Sequence, residues 1–341
     1  MMIECLQSWD KAIQEIKAYR ICGLGIETTG PDPLTQEIRF IQVTLPDNRV
    51  YIADLLDFGE QILGDLARLM EDNEVKKVIH NANFELSFIR ASQRRRLKSK
   101  NIFDILLASQ LCWSGYYDLA PSKSPKNPWR KRVPDHGLQA LAERHLGIIL
   151  ERSYLWSDEN MRNLSPEQMD YLAKRARVLL PLHAIFLELI KKNHLEKVAE
   201  LEFWTLSPVV EMEFSGICFD SDAARALIAE KEVQLVNVFI DLQEEAKANG
   251  FRSLPSENDR LCDYLNPDRR DDIIRYLRSQ GFPISSTKAE VLRELAGRGC
   301  IFAEELLRYR ELSHELAFLD NWIAKLHCAD GKIHSTYNQL K

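Results

Sequence analysis

Hydrophobic and polar positions fall into two textures along the chain. Up to about residue 195, short apolar runs bounded by turn residues are interspersed with helically spaced segments. Residues 19–26 and 39–45 are two such runs, with Gly30-Pro31-Asp32-Pro33 between them. Residues 49–55, rich in Val, Tyr and Ile, and residues 75–80 are two more. Runs of this length and punctuation predict strands. Residues 58–71 instead place Ile62, Leu63, Leu66, Leu69 and Met70 at helical spacing. Three successive strands followed by helix, strand and helix predict an α/β domain: a mixed sheet flanked by helices.

Beyond residue 195 the strand pattern disappears. Residues 194–214 read as a long helix broken near Ser215-Gly216. A second helix starts at Asp220-Ser221-Asp222 and runs to Asn249, where Gly250 supplies a C-terminal stop. Residues 271–279, 286–298 and 303–326 predict three more, and a short strand is expected near 332–337. This half is therefore expected to be almost all-α. The boundary is expected near Lys191-Lys192-Asn193, giving domains 1–192 and 193–341.

The segment 114–136, SGYYDLAPSKSPKNPWRKRVPDH, reads as an inserted loop with four prolines. It carries Lys123, Lys126, Arg130, Lys131 and Arg132, with Trp129 among them. A solvated surface loop accounts for this composition. So does a basic finger on a nucleic-acid backbone, with Trp129 stacking on a base. Arg94-Arg95-Arg96 with Lys98 and Lys100 is a second basic run. The expected position of both is on the face that receives a strand.

Composition narrows the alternatives. Apolar residues make up 45% and charged residues 28%, which suits a globular protein with a buried core. No stretch reaches the ~20 apolar residues of a membrane span, and the start lacks the basic-then-apolar pattern of a secretory signal. The net charge of −6 leans against a uniformly basic nucleic-acid binder but leaves local patches free to act. Seven cysteines lie far apart with no C-x-x-C pair, which disfavours a disulfide framework or zinc site and suits a cytoplasmic protein.

Short motifs then appear in order. Leu24-Gly25-Ile26-Glu27-Thr28-Thr29-Gly30 resembles D-I-E-T-T-G, the first exonuclease motif of the DEDD superfamily, with Gly25 at the first Asp position. His80-Asn81-Ala82-Asn83-Phe84-Glu85 resembles H-N-A-x-F-D, with Glu85 for Asp. Asp104 matches a structural Asp of an F-D-T segment, and His136 to Gly147 match H-S-L-x-x-L-A-x-x-x-L-G. Tyr171-Leu172-Ala173-Lys174-Arg175-Ala176 stands where Y-A-x-x-D-V belongs, with Arg175 at the last Asp.

The second half continues the likeness. Glu200 through Glu213, then Gly216-Ile217 and Asp220, resembles the signature that opens the polymerase region of family A DNA polymerases. Ser286-Thr287, Tyr309-Arg310-Glu311-Leu312-Ser313 and Asp330 to Gln339 resemble its thumb and the strand after it. The chain thus resembles the proofreading 3′–5′ exonuclease domain plus thumb of a DNA polymerase I relative, also similar to ribonuclease D. Fingers and palm are absent, so no polymerase activity is expected of this chain alone.

The resemblance implies a ribonuclease-H-like core and a site with two divalent ions, Mg²⁺ or Mn²⁺, about 4 Å apart on four carboxylates. Glu27, Glu85 and Tyr171 occupy catalytic family positions, Glu27 and Glu85 being the residual metal ligands. Gly25 has no ligand atom, and Arg175 brings a permanent cation. Metal binding is therefore expected to be weak or absent, and nuclease activity weak or lost. Arg175 is expected to pair with Glu27, Glu85 or both, replacing the metal's charge; the alternative is that it swings out along the helix to solvent.

The implied partner is DNA, with a single-stranded 3′ end foremost, and the location cytoplasmic, at the nucleoid in a bacterium. Nucleic-acid contacts are expected from Arg94, Arg95, Arg96, Lys126, Trp129, Arg130, Lys131 and Arg132. Two other readings stand beside this one. One is an active metal-dependent exonuclease of replication or repair. The other is a scaffold for a separate chain that carries palm and fingers.

Overall fold

The computed structural model describes residues 2, 6–93, 95–124, 127–150, 164–253 and 264–340. In chain order the elements are α1 (Leu6–Tyr19), β1 (Ile21–Thr28), β2 (Ile38–Thr44), β3 (Val50–Asp54), α2 (Leu55–Glu71), β4 (Lys76–Ile79), α3 (Ala82–Ser92), β5 (Ile102–Asp104) and α4 (Ile105–Cys112). Next come β6 (Asp118–Ser124), β7 (Asn127–Arg132), α5 (Leu138–Leu146), α6 (Pro166–Arg177), α7 (Leu179–Lys192) and α8 (Glu196–Ser215). The remaining helices are α9 (Ser221–Ala248), α10 (Arg270–Ser279), α11 (Ala289–Gly297) and α12 (Ile301–Ile323).

The chain divides into two compact units. One comprises residues 1–216 with 334–341, the other residues 217–333. The expected domain boundary at 192/193 is not where the contacts divide. Helix α8 stays with the first unit, because Leu206 and Val210 are buried in the same core as β1 and α3.

The first unit is built on a five-stranded sheet of order β3-β2-β1-β4-β5. β1 pairs antiparallel with β2 and parallel with β4, and β4 pairs parallel with β5, so the sheet is mixed as expected. Alternate residues of β1 point to opposite faces. Cys22, Leu24 and Ile26 join a core with Trp9 and Ile16 of α1, Leu66 of α2, Leu86 of α3 and Leu206 of α8. Gly23, Gly25 and Glu27 face α6 and α7 on the other side.

The absence of a side chain at Gly23 lets α7 sit close to the sheet. A Cβ there would lie 2.5 Å from Thr44 Cγ2 and 3.0 Å from Leu179 Cβ. Real Cβ atoms do not come as close as the first of these and seldom as close as the second, so the Thr44 side chain would have to move and α7 to give slightly. Phe40, Ile52, Tyr171, Leu172 and Ala176 form a small core where α6 covers β2 and β3.

The segment read as an inserted loop holds an antiparallel hairpin, β6–β7. Its prolines and lysines gave no strand alternation, and backbone pairing alone defines it. In the second unit, α9 to α12 share a core of Leu242, Tyr276, Leu292, Phe302 and Leu306. Asp220 caps α9 by accepting from the Ala223 amide at 2.9 Å, and Gly250, at φ +68°, follows its end. In place of the strand expected near 332–337, Ile333 makes isolated bridges to Ile217 and Leu326. Among the described residues no helix is long and apolar enough to cross a membrane.

Candidate functional site

The site lies where the C-terminal half of β1 meets α3 and α6. Glu27 is on β1, opposite Phe40 of β2, and Gly25 is opposite Gln42. Arg175 and Tyr171 are one turn apart on α6, which begins with a complete capping box. Ser165 Oγ accepts from the Gln168 amide at 3.2 Å, and Gln168 Oε1 accepts from the Ser165 amide at 2.7 Å. With its start fixed in this way, α6 directs Tyr171 and Arg175 at β1.

Arg175 Nη1 donates to Glu27 Oε1 at 2.7 Å and to the Tyr171 hydroxyl at 3.2 Å. The two charged side chains are 28% and 11% exposed, so the pair is largely out of water. Burial works to lower the Arg175 pKa, but Glu27, Tyr171 and Glu85 outweigh it and the net shift is upward. The guanidinium therefore stays charged.

Glu85 sits in the first turn of α3. That turn is held by Asp104, whose carboxylate accepts from the Asn81 amide at 3.0 Å, the Ala82 amide at 2.8 Å and the Leu106 amide at 2.8 Å. Asp104 thus ties α3 to α4, the structural part the motif implied. Glu85 Oε2 is buried without a hydrogen-bond partner, and no ion pair joins Glu85 to Arg175 within 4 Å. Burial pushes the Glu85 carboxyl well above the ordinary range, Asp104 and Glu27 add to this, and Arg175 opposes it.

Gly25, Gln42, His80, Glu85 and Arg175 line a cavity of about 20 Å³, room for about one water. Gln42 was not legible as a site residue. It is a buried amide in a strand that is buried throughout, with its Nε2 unpartnered. A lone amide in that apolar run was the available signal. Burial also lowers the pKa of His80, whose Nε2 lies 2.9 Å from the His136 carbonyl oxygen. His136 Nδ1 in turn meets Ser109 Oγ at 2.7 Å.

This donor set does not suit a pair of hard divalent ions, which need several charged oxygens. Gly25 offers no ligand atom, Glu27 is engaged by a cation, and the environment of Glu85 favours its neutral form. Among the described residues no three His, Cys, Asp or Glu come together as a metal-binding group.

The basic residues are dispersed. Arg95 makes a two-point pair with Glu71, at 2.6 and 2.8 Å. Arg96 lies 3.9 Å from Glu211, which Arg90 holds at 2.6 Å. Lys98 and Lys100 precede β5, at the opposite end of the parallel strands from Glu27, so the run does not border this site. On the hairpin, Trp129 is 54% exposed, Lys131 and Arg132 are exposed, and Lys131 Nζ lies 4.1 Å from the Tyr117 ring centroid. β7 ends at Arg132, and the chain reaches the site soon after, at His136. Arg94 and Lys126 lie outside the described residues, as does the side chain of Arg130.

A family model described as 3′–5′ exonuclease matches residues 1–191, more than half of the chain. The chain belongs to this 3′–5′ exonuclease family. No match was found among curated proteins. Solved structures similar to this exonuclease-family chain include the POL domain of Pol1 from M. smegmatis in complex with DNA primer-template and dNTP. It has a TM-score of 0.66 at 17% identity over 97% of this chain and 51% of that one. The chain therefore spans about half that protein's length. Escherichia coli RNase D, an exoribonuclease, gives a TM-score of 0.50 at 17% identity, covering 68% of this chain and 54% of its own. Brucella melitensis NrnC bound to pGG gives 0.50 at 18%, covering 63% and 91%. At these identities the likeness is one of fold.

Proposed function

We propose that this exonuclease-family protein binds nucleic-acid strands with little or no nuclease activity, and that Arg175 takes over the charge role of the metal ions. The observation that carries the reading is the Arg175–Glu27 contact at 2.7 Å. A carboxylate site without a cation suffers mutual repulsion, and a guanidinium removes it. The same guanidinium excludes a divalent ion from Glu27 by charge and by volume. Its partly exposed donors suit a phosphodiester oxygen, so a strand could be held with no water activated for attack.

The hairpin supports the same reading. Trp129 offers an exposed face for a base, and Lys131 and Arg132 offer phosphate contacts, on a segment that leads into the site. The M. smegmatis relative was solved with a DNA primer-template and the Brucella protein with pGG, so single-stranded DNA and RNA are both suitable ligands to test. The second, helical unit is proposed to be thumb-like, contributing duplex contacts.

The test is incubation of the protein with 3′-labelled single-stranded DNA and RNA in Mg²⁺ or Mn²⁺, alongside binding measured by fluorescence anisotropy. Binding with excision no faster than a protein-free control is expected. Robust metal-dependent excision would overturn the reading.

A further inference from the structure

A second concavity of the first unit lies away from the candidate site and is not accounted for by it. A cleft of about 820 Å³ opens beside the N-terminal ends of β4 and β5. In β1, β4 and β5 the chain runs parallel from this end toward Glu27, with Lys76 beside Ile21 at the start of β1. Six residues of extended strand separate Ile21 from Glu27, about 20 Å at 3.3 Å each. The cleft and the Arg175 pocket therefore occupy opposite ends of the sheet.

The lining combines three kinds of chemistry. Lys76 of β4 and Lys98 and Lys100 before β5 are three lysines among the lining residues. None of them has an ion-pair partner among the described residues. A face of α8 also lines the cleft, with Glu196, Glu200 and Trp204 following one another at four-residue spacing. Trp204 is 72% exposed, an unusual position for the largest apolar side chain unless something covers it.

A flat ring, an anion and a few hydrogen-bond donors meet these three features together. The volume falls within the ~300–1,000 Å³ range of small-molecule sites rather than that of an extended polymer groove. We propose that the cleft binds one nucleotide. Its phosphate lies against Lys76, Lys98 and Lys100, its base stacks on Trp204, and its sugar hydroxyls or base amino group donate to Glu196 and Glu200. Carboxylates serve ribose hydroxyls in this way in other nucleotide sites, which gives the two acids a place in a site that is otherwise cationic. The nucleotide can be free or the phosphorylated end of a strand, since both present the same group. This assignment stands apart from the reading of the Arg175 site.

Calorimetric titration of the full chain with AMP, adenosine, inorganic phosphate and a 5′-phosphorylated oligonucleotide tests it. AMP is expected to bind saturably and more tightly than adenosine or phosphate. The exposed pair Lys98→Glu and Lys100→Glu should weaken AMP binding by at least about tenfold, as loss of hydrogen bonds to a charged group does. Trp204→Ala should weaken it too, while Arg175→Ala should leave it unchanged. Competition between the oligonucleotide and AMP would identify a strand end as a ligand, and AMP binding without competition would identify a free nucleotide. Either upholds the site. Absence of saturable AMP binding overturns it. So does AMP binding that Arg175→Ala abolishes and the lysine variants leave intact.

Discussion

Arg175 of α6 donates to Glu27 of β1 across 148 positions of sequence, at 2.7 Å, and leaves Glu85 unpaired. The guanidinium thus neutralises one carboxylate and only moderates the other, which divides the two residual acids into a charged member and one that favours its proton. Arg175→Ala is expected to destabilise the protein by about 1–3 kcal/mol, between the ~0–1 of exposed pairs and the ~3–5 of fully buried ones. Denaturant unfolding of Arg175→Ala, Glu27→Gln and the double variant measures it. The coupling should be clearly nonzero, and strict additivity would show that the contact contributes nothing.

Restoring the site requires both lost positions. A Cβ on Gly25 would lie 3.3 Å from Gln42 Oε1, the end of a side chain that can shift, so aspartate is sterically admissible. Gly25→Asp with Arg175→Asp is expected to gain Mg²⁺-dependent excision, and neither change alone should, because the two ions act together. Labelled-strand degradation in Mg²⁺ and in chelator checks this.

Glu85 makes a pH prediction. A carboxyl that binds its proton more tightly when folded contributes stability below its unfolded pKa, near 4.5, and loses it as pH rises through the raised folded value. Glu85→Gln keeps the shape and removes the titration. It should therefore be more stable than the parent at neutral pH, with the advantage shrinking toward pH 4. Melting temperatures across pH 4–8 report it, and a constant offset would count against the buried-proton account.

Gly23→Ala tests the packing of α7 on the sheet. The added carbon would meet Thr44 Cγ2 and Leu179 Cβ, and overpacking of this kind costs about 1–3 kcal/mol. The companion change Thr44→Ala, which removes the nearest atom, Thr44 Cγ2, should recover only part of the loss, because Leu179 Cβ still lies 3.0 Å from the added carbon.

The hairpin is tested by Trp129→Ala and by Lys131→Ala with Arg132→Ala. The first should weaken single-strand binding by about 1–3 kcal/mol, the usual worth of one stacked base. The second should reduce the salt slope of log K by roughly 1 to 2, near 0.7 per lost phosphate contact. Affinity and slope equal to the parent's would return the segment to solvent.

Much of the architecture was legible without coordinates because its causes are local. Apolar runs marked four strands, and Asp220 and Gly250 marked the ends of α9. The motif positions of Glu27, Glu85, Asp104, Tyr171 and Arg175 were readable because spacing along the chain carries them. Only the tertiary structure decided what lies far apart in sequence. It put α8 with the first unit, paired β6 with β7 through backbone groups that composition does not reveal, and carried Lys98 and Lys100 to the opposite end of the sheet from Glu27. It also chose Glu27 over Glu85 as the partner of Arg175. Caps, turns and periodicity act over a few residues, whereas a side chain's partner depends on how whole elements pack, and that is a property of the assembled core.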